Sequence, residues 1–146
     1  MASIVNPEGS PIEPQDDVFV NCSGQSRRIR GVTVNSGATL LVSLAAKVGF
    51  ESVWIEMEHG PADFERVDAM ALAAEAGGIF PLVRLPDGER HHVLRALEAG
   101  ARIILVPMVE DAAHAQRIVE YGKYPPLGAR GFNTRSRSMG LGIDPA

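Results

Sequence analysis

Cysteine is almost missing from this sequence: Cys22 is the one thiol in 146 residues, so a disulfide framework is excluded. Lysine is nearly as scarce. Only Lys47 and Lys123 stand beside twelve arginines, which leaves few candidates for Schiff-base chemistry. No apolar run approaches the ~18 residues that span a bilayer, and the opening MASIVNPEGSPIEPQDD lacks the basic and apolar segments of a secretory signal. A cytoplasmic protein with no membrane partner is the expectation. The 14 basic residues are scattered and outnumbered by 18 acidic ones, so a net charge of −4 offers nucleic acid no electrostatic footprint. No G-x-G-x-x-G follows the first β-rich run and no P-loop is present, which weakens a nucleotide reading. Small molecules are the expected partners.

What is present is a chain 45% apolar, enough for one domain that buries roughly two-thirds of its unfolded surface. Residues 1–27, with Pro7, Pro11 and Pro14 and only Val18-Phe19-Val20 able to pack, read as a loosely attached leader. From there, residues 28–146 alternate β-rich runs with helical periodicity. The runs are Gly31 to Val34, Ser52 to Met57, Ile79 to Leu85 and Arg102 to Val106. Their spacing is close to the ~30 residues of one βα unit in an eight-unit barrel of about 250 residues. Leu40, Leu41, Leu44, Ala45 and Val48 mark the first helix, with Ser36 as its expected N-cap. Phe64, Val67, Ala71 and Ala74 mark the second, ended by Gly77-Gly78. Val93, Leu94 and Leu97 mark a third that stops at Gly100. In the fourth, Ala112, Ala115, Ile118 and Val119 are expected inward and His114 outward. Ile103-Ile104-Leu105-Val106 shows no alternation and predicts a strand covered on both sides. The fold class is α/β: about four βα units, half a barrel or a small open parallel sheet.

The second run carries the chemistry. Strand geometry puts Val53, Ile55 and Met57 on one face and Trp54, Glu56 and Glu58 on the other. Buried carboxylates are costly unless paired, and His59 adds an imidazole at the strand end, where barrel active sites lie. Arg84 sits among apolar residues at the end of the third run, its forked donors suited either to a substrate carboxylate or to a salt bridge with Glu56 or Glu58. His91, His92 and His114 are assigned to the surface, since no Cys, Asp or His stands at metal-ligand spacing around them. Tyr124 to Phe132 reads as a rigid turn followed by glycines, in a loop on the C-terminal face of the sheet.

Four motifs, Glu58-His59-Gly60-Pro61, Pro81-Leu82-Val83-Arg84, Ile104-Leu105-Val106-Pro107-Met108-Val109 and Tyr124-Pro125-Pro126-Leu127-Gly128-Ala129-Arg130-Gly131, in this order and register, resemble the HpcH/HpaI aldolases. The resemblance covers roughly residues 30 to 140. It implies a (β/α)8 TIM barrel of which this chain holds about the first four units. It also implies a class II aldolase that cleaves 4-hydroxy-2-oxo acids to pyruvate and an aldehyde. His59 then corresponds to the general base, and Arg84 to the arginine that grips the oxo acid and stabilises the enolate. Glu98 stands where the family usually has an Asp that raises the basicity of the base histidine of a neighbouring subunit in a homo-oligomer. Glu56 likewise replaces an Asp of the strand motif, with Glu58 as a second supporting carboxylate.

Cleaving a C–C bond beside a ketone needs a Schiff base or a Lewis-acid metal. Lys47 falls in the first helix and Lys123 after the fourth, so neither ends a strand, and the metal route remains. Mg²⁺, Mn²⁺ and Co²⁺ suit carboxylate and water ligands alike. By the resemblance the metal ligands are a Glu and an Asp of the fifth and sixth strands, expected beyond Ala146. The chain is accordingly expected to be the N-terminal part of a longer protein. The other readings are a truncated paralogue that binds oxo acids or assembles with full-length subunits without turnover, and a citrate-lyase-like enzyme acting on a CoA thioester.

Overall fold

The computed structural model describes residues 29–137. The expected leader therefore lies outside the described residues. Four parallel strands, β1 (Gly31–Val34), β2 (Ser52–Glu56), β3 (Phe80–Arg84) and β4 (Ile103–Leu105), alternate with α1 (Thr39–Lys47), α2 (Phe64–Ala76), α3 (Arg90–Glu98) and α4 (Ala112–Gly122). The sheet order is β1-β2-β3-β4 with no reversal, and successive helices pack on one another along one face. A doubly wound sheet reverses its order and splits its helices between two faces. An unreversed arc with helices on one side is the arrangement of a barrel segment.

Register builds the core in rows. Val34, Ile55, Val83 and Ile104 lie abreast across the sheet and face the helices. Val53, Ile55, Val83 and Leu85 are fully buried there against Val42, Val67, Met70 and Val93. Each such side chain contributes about 1.5–3 kcal/mol on leaving water. Local chemistry fixes where the helices begin and end. The Asp63 carboxylate accepts the Arg66 N–H at 2.9 Å to cap α2, and Asp111 accepts the His114 N–H at 2.6 Å to cap α4. Gly78 and Gly100, at φ 69° and 98°, turn the chain out of α2 and α3 in a conformation that favours glycine.

Several expectations change at the flanks of the arc. Ser36 does not cap α1; the N-cap residue is Ala38, which makes no side-chain bond. Helix α1 buries Val42 and Ala45, whereas Leu40, Leu41, Leu44 and Val48 face outward. Helix α4 likewise buries Ile118 while Ala112, Ala115 and Val119 are exposed. Strand β4 is only half-buried throughout, because no described strand pairs with its outer edge. These are the first and last elements of the arc, so their apolar residues have no described neighbour on the outer side. The segment from Tyr124 starts at the opposite end of the sheet from that expected, since α4 runs back from the C-terminal edge before it begins. Bonds from the Ala129 N–H to Glu120 O and from the Arg130 N–H to Lys123 O hold it against the end of α4.

Candidate active site

On the face away from the helices, Thr33, Trp54, Leu82 and Ile103 form one row and Glu56, Arg84 and Leu105 the next, at the C-terminal edge. The ladder continues past the strand ends through the Met57 N–H to Arg84 O and the Leu85 N–H to Leu105 O. The sheet is therefore still regular where the charged side chains emerge. Glu56 is buried and accepts four hydrogen bonds. Its Oε1 takes the backbone N–H of Glu58 at 2.7 Å and of His59 at 3.1 Å. Its Oε2 takes the Trp54 indole N–H at 3.2 Å and Arg84 Nη1 at 3.4 Å. Burial pushes the Glu56 carboxyl up, but the two amides, the Arg84 guanidinium and the indole prevail and hold it below its ordinary value.

Arg84 also pairs with Glu58 through Nη2, and its Nε is buried with no partner among the described residues. The other Glu58 oxygen lies 3.7 Å from His59 Nε2. His59 is 71% exposed, whereas Arg84 and Glu58 are 24% and 19% exposed. An exposed imidazole thus stands beside a largely buried carboxylate–guanidinium pair, at the edge where strand-end residues converge. Such a group can exchange protons with a small molecule whose negative charge the arginine faces.

Of the residues singled out in the sequence, Glu56, Glu58, His59 and Arg84 come together. Glu98 does not join them within the chain. It is the last residue of α3, at the far end of the sheet, and pairs with no described residue. Sequence reasoning placed Trp54 on the right face but gave it no role; its period-two relation to Glu56 was the available signal. His92 departs from its surface assignment. Its Nδ1 lies 2.5 Å from Asp87 Oδ1 and its ring lies 4.0 Å from that of His91, tilted by 46°, so an Asp does stand within its reach. Burial raises the Asp87 carboxyl, yet the His92 ring and the Glu89 N–H outweigh it and lower it. His114 is half-buried.

Residues 31–140 match the HpcH/HpaI aldolase/citrate lyase family. The chain belongs to that family. A hydroxypyruvate/pyruvate aldolase of Rhizorhabdus wittichii is 36% identical over 71% of this chain and 41% of its own length. A 4-hydroxy-4-methyl-2-oxoglutarate aldolase of Chaetomium globosum is 36% identical over 71% of this chain and 39% of its own. The crystal structure of a HpcH/HpaI family protein from Burkholderia cenocepacia superimposes with a TM-score of 0.74 at 30% identity, over 79% of this chain and 47% of that one. The chain thus spans about half the length, or less, of the relatives it matches, and the four-stranded arc is the corresponding part of their barrel.

An HpcH/HpaI aldolase implies a divalent metal. The residues present do not fit one: both Glu56 oxygens are fully engaged and Glu58 is held by Arg84. Among the described residues no group of three or more His, Cys, Asp or Glu converges on a common point. No described helix is long and apolar enough to cross a membrane.

Proposed function

We propose that the whole protein is a carbon–carbon lyase that cleaves 4-hydroxy-2-oxo acids to pyruvate and an aldehyde. The observation that carries this reading is the convergence of His59, Glu58 and Arg84 at the C-terminal edge of a barrel arc. His59 takes the proton of the substrate 4-hydroxyl and the C3–C4 bond breaks. Its electron pair passes into an enolate, and the proton returns to C3 as the methyl of pyruvate. Arg84 faces the oxo acid, with its guanidinium plane set by Glu56 and Glu58. Glu98, remote from His59 in its own subunit, acts on the base histidine of a neighbour, which makes the working form a homo-oligomer. The divalent metal takes its ligands from outside the described residues.

The names of the relatives support oxo acid chemistry while differing in substrate, since a 2-keto-3-deoxy-L-rhamnonate aldolase of Klebsiella pneumoniae is also 32% identical. Citrate chemistry is the second reading, supported by a citrate synthase that superimposes with a TM-score of 0.70 at 30% identity. The test is exchange of the pyruvate methyl protons with deuterated water by the full-length protein, with and without His59→Ala. The variant is expected to lose about 10²–10⁴ in rate with its fold intact. Wild-type exchange in the variant would refute the assignment of His59. Exchange on acetyl-CoA and none on pyruvate would favour citrate chemistry, and exchange on neither would support a non-catalytic oxo acid binder.

A further inference from the structure

We propose that Glu56 is the positioning residue of this site, a saturated carboxylate that clasps the turn bearing His59 to Trp54 and Arg84. Four donors fill about all the acceptor sites that one carboxylate offers, so Glu56 has no lone pair left for substrate, water or metal. It is buried, whereas His59 is exposed. Its reach is divided: one oxygen holds the two amides that follow the strand, and the other holds the indole of its own strand and the arginine of the next. A second observation shows how tight this turn is. A Cβ added at Gly60 would lie 2.5 Å from Glu56 O and 3.1 Å from Asn35 O, so the chain folds directly back over the strand end. The His59 side chain has little packing of its own to orient it, and its origin is set by the backbone that Glu56 grips.

The chemistry of the clasp distinguishes three side chains at position 56. Gln offers one acceptor oxygen and an NH₂ group, so it can serve the two amides or the indole and guanidinium, while its NH₂ opposes the other pair of donors. Asp is a methylene shorter, yet Asp side chains readily accept backbone N–H groups two residues on, so it keeps the amide half of the clasp.

This inference rests on the aldolase reading for its kinetic test alone. In the full-length protein, Glu56→Gln is expected to lower kcat for pyruvate methyl exchange about 10- to 100-fold with a smaller change in KM. It is also expected to speed hydrogen exchange at the Glu58 and His59 amides or at the Trp54 indole N–H, whichever pair loses its oxygen. Glu56→Asp is expected to keep the amides protected and stay within about tenfold of wild-type kcat. Wild-type kcat and wild-type exchange at all three N–H groups in Glu56→Gln would overturn the proposal. If Glu56→Gln does not fold, Glu56→Asp carries the test: protected amides with a kcat as low as that of His59→Ala would assign Glu56 to the chemistry itself and overturn it. If wild-type protein exchanges no pyruvate protons, the aldolase reading fails, and the amide and indole exchange still decides the clasp.

Discussion

The two faces of β2 and β3 differ in what holds them together. Toward the helices, Val53, Ile55, Val83 and Leu85 are wholly buried in the apolar core. On the other face, Trp54, Glu56, Leu82 and Arg84 occupy alternate positions of the same strands, and hydrogen bonds and charge join Trp54, Glu56 and Arg84. Folding and chemistry therefore use one backbone but different residues. The period of two keeps their side chains on opposite faces of the sheet.

The strongest challenge to this separation is Ile55→Ala. It removes a fully buried side chain at the centre of the sheet and is expected to cost about 2–5 kcal/mol. Urea unfolding of the full-length protein measures the loss, and the folded fraction should keep its turnover per molecule. A drop in that turnover would show the two faces to be coupled. Arg84→Lys probes the other face. Lysine keeps the charge but loses the fork, so pyruvate affinity and turnover should fall together, roughly 10- to 100-fold, with little change in Tm. Unchanged affinity and turnover would make Arg84 an ion-pair partner alone.

The smallest expected effect is on acid stability. Glu56 titrates below its ordinary 4.5 in the folded chain, so it stabilises the fold fully above about pH 4.5. That contribution fades as pH falls through the lowered folded-state value. The stability difference between wild type and Glu56→Gln should accordingly be constant at neutral pH and shrink below 4.5. A difference independent of pH down to the acid limit would mean that Glu56 does not bind its donors as an ion.

Much of this was legible in the residues. β1 spans the expected Gly31 to Val34, and the other strands fall within one or two residues of the runs read from composition. The alternation in Val53 to Glu58 placed both carboxylates on the correct face. Periodicity was less informative at the flanks, because it identifies an apolar helix face without saying what covers it. The leucines of α1 are regular in spacing but exposed, since its buried side is set by Val42 and Ala45. The Asp87–His92 pair escaped notice because it joins a loop residue to the first turn of a helix, a contact that neither strand nor helix period reports.

Gly60 has a consequence for how this region can be varied. The stretch from Glu56 to Gly60 acts as a ruler: the carboxylate reaches two and three residues ahead, and the fifth position must lie flush against the first. Residue count is therefore fixed there more strictly than residue identity. A single insertion between Glu56 and Gly60 would move the imidazole off its perch even though every original residue type is kept. A library that diversifies the edge of this sheet should substitute within those five positions and reserve changes of length for the exposed segment at Met108 and Val109.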